Sequence, residues 1–141
     1  MSDPLVSIII PTYFRNEVLV EAIRSANSQT YENTEILIVD DSGTGHAESV
    51  IPSSVDCNYI KLQRNRGANN ARKTGLTQAN GELVQFLDDD DLLKKKKLEM
   101  QVEKLLQRHE VGVVYSGIKT SDGVTNPDPA FKGDVLSQAL Q

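Results

Sequence analysis

The chain has 141 residues, of which 38% are hydrophobic and 25% are charged, and this balance excludes a disordered protein. The length predicts a single folded domain over residues 1–141, and no stretch approaches the roughly 18 apolar residues that a membrane-spanning helix needs. The net charge of -5 excludes a general nucleic-acid-binding protein, because such a protein needs a basic face.

Strand-like runs alternate with helix-like runs along the first part of the chain. Residues 5–10 form a nearly continuous β-branched run that stops at Pro11, as expected of a strand buried on both faces. Apolar side chains then recur at helical spacing over residues 16–29, which predicts an amphipathic helix. Residues 36–39 predict the second buried strand. This order is typical of a parallel sheet covered by helices.

The same alternation continues towards the carboxyl terminus. It predicts, in order, a strand at 59–62, a helix at 67–79, a strand at 83–87, a helix over about 98–106, a strand at 111–116 and the start of a helix at 133–141. Small side chains on one face of the helix at 67–79 should let it approach the sheet closely. We therefore predict an α/β fold with a mostly parallel central sheet and helices on both faces.

Four consecutive carboxylates, at residues 88–91, follow the fourth predicted strand. Crowded carboxylates repel one another, and a hard cation such as Mg²⁺ or Mn²⁺ relieves this repulsion. Such an ion usually takes one or two protein carboxylates together with phosphate oxygens. The run therefore predicts a metal and diphosphate site. The alternative is a solvated acidic turn before a helix that begins near Leu92.

Polar residues also follow the first two predicted strands. Thr12 and Tyr13 come after the first strand, and Asp41 comes after the second. The carboxyl ends of parallel strands meet at one edge, where open sheets bind ligands. An aromatic ring such as Tyr13 stacks on nucleobases, and a carboxylate such as Asp41 accepts a base N–H. Together with the acidic run, these residues predict one nucleotide site.

A series of short motifs extends over nearly the whole chain. They are residues 7–13 (SIIIPTY), 28–31 (SQTY), 35–42 (EILIVDDS), 65–67 (NRG) followed by Ala71, Arg72 and Gly75, 81–82 (GE) and 86–91 (FLDDDD). In their order and approximate spacing they resemble the family 2 glycosyltransferases of GT-A fold.

This resemblance implies a Rossmann-like GT-A fold and an inverting glycosyltransferase. The reaction it implies is sugar transfer from a nucleotide-sugar donor, most often a UDP-sugar, to a saccharide or lipid-linked acceptor, assisted by Mn²⁺ or Mg²⁺. Carried over by position, it assigns donor binding to Pro11, Thr12, Tyr13, Asp41, Asp88, Asp89 and Asp90, and metal binding to Asp90 and Asp91.

No catalytic base can be assigned by this resemblance. The family carries its base on a later acidic segment, and Asp122, Asp128 and Asp134 match no base motif. The sequence thus resembles the donor-binding part of an enzyme, truncated and inactive or weakly active alone. The alternative is a non-catalytic module that binds a nucleotide sugar or a partner.

The lysine run at residues 94–97 is interpreted as a solvated basic face in the first turns of a helix. Contact with the donor phosphates or with an anionic membrane is the alternative, which adds peripheral membrane association to the expectations. The single cysteine, Cys57, fits a reducing compartment, and the amino terminus shows no secretory signal. We therefore expect a cytoplasmic protein.

Overall fold

The central element of the fold is a parallel four-stranded sheet, seen in a computed structural model that describes residues 3–108 and 110–125. Its strands are β1 (Val6–Thr12), β2 (Thr34–Asp40), β3 (Asn58–Lys61) and β4 (Leu83–Phe86). The strand order is β3-β2-β1-β4, and each neighbouring pair is parallel. The chain extends the sheet first to one side of β1 and then to the other. A topological switch point therefore lies between β1 and β4.

Three α-helices and a short 3-10 helix accompany the strands in the described part of the chain. They are α1 (Asn16–Asn27), the 3-10 helix Glu48–Val50, α2 (Ala68–Gln78) and α3 (Lys97–Gln107). The apolar stripe of α1 is buried, as its helical spacing predicts. The predicted α/β class and mostly parallel sheet are confirmed.

The helices α1 and α2 cover opposite faces of the sheet. Ile9, Leu37 and Val39 form a buried cluster with Ala71 of α2. Since side chains alternate along a strand, the neighbouring residues of β1 and β2 point to the other face, where α1 contacts both strands. Every residue of β1 is buried, which explains why its sequence is a nearly continuous hydrophobic run.

The close approach of α2 to the sheet depends on Gly75. A Cβ atom at this position would lie 2.5 Å from Cγ2 of Ile9 and 3.2 Å from Cγ2 of Val39. These distances are shorter than normal carbon contacts, so a larger side chain would push the helix away from the strands. The predicted role of small side chains in this helix is confirmed.

Glu35 joins the amino-terminal ends of the strands, at the edge of the sheet opposite the switch-point loops. Its carboxylate accepts hydrogen bonds from Ser7 Oγ, from the backbone and side-chain nitrogens of Asn80, and from Gly81 N. Burial raises the pKa of Glu35, but the hydrogen bonds from Ser7, Asn80 and Gly81 lower it further than burial raises it. The carboxylate therefore stays charged at neutral pH.

The lysine run lies mostly before α3 rather than within it. Residues 94–96 are exposed and non-helical, and only Lys97 belongs to the helix. The Lys97 ammonium group is half-buried and donates to Oε1 of Gln85 at 2.6 Å; burial lowers the pKa of Lys97. The predicted placement of four charges in the first turns of a helix is wrong, while the exposure predicted for residues 94–96 is confirmed.

The chain divides into two compact units after Leu98. In the second unit, β5 (Ile118–Thr120) pairs with β6 (Gly123–Thr125) in an antiparallel hairpin. The strand predicted at residues 111–116 is wrong, because these residues pair with no strand in the described part of the chain. The helix predicted at 133–141 lies outside the described residues, and the expectation of one domain over 1–141 remains a prediction.

Replacing Gly75 with alanine should destabilise the fold. Alanine is the better helix former by about 1 kcal/mol, but its methyl group would overlap Ile9, and overpacking of this kind costs about 1–3 kcal/mol. Urea unfolding should therefore show a lower midpoint for Gly75→Ala. Lys73→Ala, an exposed change in the same helix, is the matched control and should leave the midpoint nearly unchanged. A rise in stability for Gly75→Ala would contradict the close packing.

Candidate functional site

A cleft of about 410 Å³ opens where the carboxyl ends of the strands meet. Its walls are formed by Pro11, Thr12, Tyr13, Arg15, Asp41, Asn65, Gly67, Ala68, Ala71, Arg72, Asp88, Asp89 and Asp90. The structure thus brings together all the residues predicted to bind a donor. Of the two predicted metal ligands, Asp90 lines the cleft and Asp91 does not.

The turn after β1 presents an aromatic ring to the cleft. Tyr13 is 48% exposed, and its ring meets that of Phe14 edge-on with 4.8 Å between centroids. Phe14 has a φ of 51°, in the left-handed region that a non-glycine residue seldom adopts. Its ring also lies 4.7 Å from that of His46. The turn is therefore packed on one side, and Tyr13 remains open to the cleft.

Asp40 and Asp41 are adjacent in sequence but have separate structural roles. The Asp40 carboxylate is fully buried and accepts hydrogen bonds from Tyr59 Oη at 2.7 Å and from the backbone nitrogens of Ser42 and Ala47, each at 2.8 Å. Burial raises the pKa of Asp40, and hydrogen bonds from the side chain of Ser42, from the backbone of Ala47, from Tyr59 and from the backbone of Ser42 lower it below its ordinary value. Asp40 therefore fixes the loop after β2 and does not line the cleft.

Asp41 faces the cleft and holds the turn that precedes α2. Its Oδ1 accepts the backbone N–H of Arg66 at 2.9 Å, and its Oδ2 accepts that of Gly67 at 2.7 Å. Gly67 has a φ of 85°, which favours glycine here. Each carboxylate oxygen can accept a second hydrogen bond. Asp41 can therefore contact a ligand while it orders the turn.

Asp89 lies at the switch point between β1 and β4. It is only 6% exposed and accepts a hydrogen bond from Oγ1 of Thr12 at 2.9 Å. The Arg15 guanidinium lies 3.4 Å from its other carboxylate oxygen. This carboxylate is thus partly neutralised and joins the ends of the two strands.

The neighbouring aspartates are more exposed, and each pairs with an arginine. Asp88 accepts a hydrogen bond from Nη2 of Arg72 on α2. Asp90 Oδ2 lies 2.6 Å from Nη1 of Arg15. The hydrogen bond to Asp90, followed by the charge of Asp89, raises the pKa of Arg15. Two cations therefore balance part of the negative charge at the mouth of the cleft.

The acidic run fits a metal ion that arrives with a diphosphate. No group of three or more His, Cys, Asp or Glu side chains converges as a metal centre within the described ranges. A Mg²⁺ or Mn²⁺ ion bound with a nucleotide needs only one or two protein carboxylates. Burial, followed by the charges of Asp90 and Asp88, raises the pKa of Asp91. A cation beside Asp90 and Asp91 would relieve this repulsion.

Sequence reasoning missed two features of the cleft. Arg15 received no role, although a basic residue two positions after Tyr13 could have suggested a partner for the acidic run. Asn65 and Gly67 belong to the motif at residues 65–67, to which the sequence assigns no site role, and both line the cleft. Their proximity to Asp41 depends on a hydrogen bond between segments that are 25 residues apart.

Comparison with known proteins gives the family. The family model for glycosyl transferase family 2 matches residues 7–134. The chain belongs to glycosyl transferase family 2. The UDP-Glc:alpha-D-GlcNAc-diphosphoundecaprenol beta-1,3-glucosyltransferase WfgD of Escherichia coli is 38% identical over 112 residues, which cover 77% of this chain and 44% of the relative. The site described above is therefore that of a family 2 chain.

Two solved structures share the fold. That of S. aureus TarS 1-349 in complex with UDP-GlcNAc is 27% identical, with a TM-score of 0.77, and the match covers 91% of this chain and 38% of the other. The mannosyltransferase PcManGT from Pyrobaculum calidifontis, in complex with GDP-Man and Mn²⁺, is 26% identical with a TM-score of 0.72, covering 84% and 36%. The GT-A architecture implied by the sequence motifs is confirmed.

The family 2 chain spans less than half the length of the curated relatives it matches. None of its described helices combines the length and the apolar character that crossing a bilayer requires.

Replacing Asp41 should loosen the turn before α2. In Asp41→Ala the backbone N–H of Arg66 loses its acceptor, whereas that of Gly67 keeps Oδ1 of Asn65 at 2.8 Å. An unsatisfied N–H costs about 1–3 kcal/mol where it stays buried. We expect faster hydrogen exchange at the Arg66 amide and a lower unfolding midpoint. Asp56→Ala, an exposed change beside β3, is the control. Unchanged exchange at the Arg66 amide would contradict the hydrogen bond assigned to it.

Proposed function

We propose that this family 2 chain binds a nucleotide sugar, preferably a UDP-sugar, with Mn²⁺ or Mg²⁺ for inverting transfer to a saccharide or lipid-linked acceptor. The observation that carries the proposal is the convergence of Tyr13, Asp41 and residues 88–90 in one cleft at the β1/β4 switch point. Ligands of open parallel sheets bind at such points. The chemistry of these side chains matches a nucleoside diphosphate.

The nucleobase is assigned to the wall formed by β1 and β2. Tyr13 offers an exposed ring for stacking beside Pro11. Asp41 has carboxylate lone pairs left after it accepts the N–H groups of Arg66 and Gly67. A uracil N–H is a suitable donor to them. The base would then be held by one stacking contact and one charged acceptor.

The ribose and diphosphate are assigned to the acidic wall. Asp88 and Asp89 are suited to accept ribose hydroxyls, and Thr12 holds Asp89 in position. Asp90 and Asp91 are the proposed metal ligands. When bound, the divalent ion would neutralise the diphosphate and act as a Lewis acid for the leaving nucleotide.

The relatives support this choice of ligand. The name of the Escherichia coli relative gives UDP-Glc as donor and a diphosphoundecaprenol-linked sugar as acceptor. The TarS structure contains UDP-GlcNAc, and the PcManGT structure contains GDP-Man and Mn²⁺. A uridine nucleotide sugar appears in the name or title of two of these three proteins, so a UDP-sugar is our first choice for this chain. A cytoplasmic location and peripheral membrane association stay predictions from the sequence.

A non-catalytic binding module is the second candidate. This candidate is favoured because, in the described part of the chain, every carboxylate that lines the cleft already has a partner. The partner is a backbone N–H, a hydroxyl or an arginine for Asp41, Asp88, Asp89 and Asp90. A general base needs a carboxylate or an equivalent group near the acceptor hydroxyl. Measurement of UDP release with and without acceptors separates the candidates, because only a transferase shows acceptor-dependent release.

Nucleotide binding should depend on the divalent ion. Without it, the carboxylates at residues 88–91 would repel the diphosphate. Calorimetry with UDP should therefore show binding with Mn²⁺ or Mg²⁺ and little or none with EDTA. Asp90→Asn should weaken binding by about 1–3 kcal/mol, the cost of losing a charged partner.

The matched control is Asp56→Asn, because Asp56 is exposed beside the amino-terminal end of β3, away from the cleft. It should bind UDP as the unchanged protein does. Equal UDP affinity in Mn²⁺ and in EDTA would contradict the proposal that a metal ion bridges the carboxylates and the diphosphate.

A further inference from the structure

Arg15 connects the start of α1 with the acidic run. It is the N-cap residue of α1, and its Nη1 lies 2.6 Å from Oδ2 of Asp90 and 3.4 Å from Oδ1 of Asp89. The Arg15 and Asp90 side chains are 55% and 51% exposed. Ion pairs this open to solvent are weak and exchange readily. The guanidinium is therefore held near Asp90 without being fixed there.

This ion pair conflicts with the metal assignment of the proposed function. A carboxylate oxygen that binds a divalent ion cannot also keep a guanidinium at 2.6 Å without strong repulsion between the two cations. The two cations therefore compete for Asp90. Even an ion on the other oxygen, Oδ1, would lie close enough to repel the guanidinium, so ion binding favours a position of Arg15 away from Asp90.

The cleft offers Arg15 a second anionic partner once the nucleotide is bound. Arg15 lines the same cleft as Asp90, and the planar guanidinium matches the oxygens of a phosphate group. The turn that carries Arg15 is packed, because the preceding residue, Phe14, contacts Tyr13 and His46. The exposed Arg15 side chain is therefore the part that would move.

Arg72, the other arginine of the cleft, is held more firmly. Its side chain is 29% exposed, pairs with Asp88 and donates to Oδ1 of Asn69 at 3.2 Å. Arg72 is also anchored in α2, which packs closely on the sheet. Arg15 is thus the cleft arginine that can change partners.

We propose that Arg15 is an exchangeable counterion, which pairs with Asp90 in the metal-free protein and moves to the donor diphosphate when a divalent ion takes Asp90. This inference rests on the proposed function. Its consequence is that Arg15 opposes metal binding in the absence of nucleotide and supports nucleotide binding in the presence of metal. A residue that only stabilises the fold would not have opposite effects on the two ligands.

Arg15→Gln tests the exchange through two binding measurements on the full chain. Mn²⁺ alone, followed by electron paramagnetic resonance, should bind about two- to fivefold more tightly to the variant, because an exposed competing ion pair is lost. UDP, titrated at saturating Mn²⁺, should bind about tenfold or more weakly, because a charged hydrogen bond to phosphate is lost. Arg15→Lys keeps the charge and should lie between the two proteins.

The control is Arg24→Gln, which removes an exposed ion pair with Glu21 from the same helix and should change neither affinity. Unchanged or weaker Mn²⁺ binding by Arg15→Gln, or unchanged UDP binding, would overturn the exchange while the proposed function stands. Failure of the unsubstituted protein to bind UDP at saturating Mn²⁺ would overturn the proposed function, and the exchange with it.

Discussion

Buried carboxylates at the carboxyl ends of the strands determine how the cleft is built. Within the described part of the chain, Asp40, Asp41 and Asp89 are the buried acidic residues, and none is more than 6% exposed. An ionised carboxylate without partners costs several kcal/mol when it is taken out of water. Each of these groups must therefore hold a defined set of donors. The segments that supply those donors become the fixed walls of the site.

Each buried carboxylate positions a different part of the nucleotide site. Asp41 holds the turn at Gly67, and this turn begins the helix that carries Arg72. Asp89 joins Thr12 at the end of β1 to the acidic run after β4, across the switch point. Gly75 lets the same helix lie directly on the sheet. Packing at the centre of the sheet and hydrogen bonds at its edge thus specify one cleft together.

Much of this arrangement could be predicted from the sequence, because buried parallel strands and amphipathic helices leave periodic patterns. The hydrophobic run in β1 predicted the sheet, and the polar residues that follow three of the strands predicted its ligand-binding edge. The difference between Asp40 and Asp41 could not be predicted, since it depends on the partners Tyr59 and Gly67, which are distant in sequence. The prediction of a strand at residues 111–116 was wrong for a related reason, since strand formation also depends on partners that are distant in sequence. Its β-branched residues suit a strand, but a strand also needs a neighbour to pair with.

The central claim is that the cleft at the switch point holds a metal-bound uridine diphosphate. Paramagnetic line broadening by Mn²⁺ in the presence of UDP, followed on the backbone amides by NMR, tests this claim directly. The account predicts the strongest broadening at residues 88–91 and at Thr12. It predicts little broadening at Asp56 and Asn58, at the amino-terminal end of β3. Broadening centred on that end, or a lack of broadening at residues 88–91, would contradict the account.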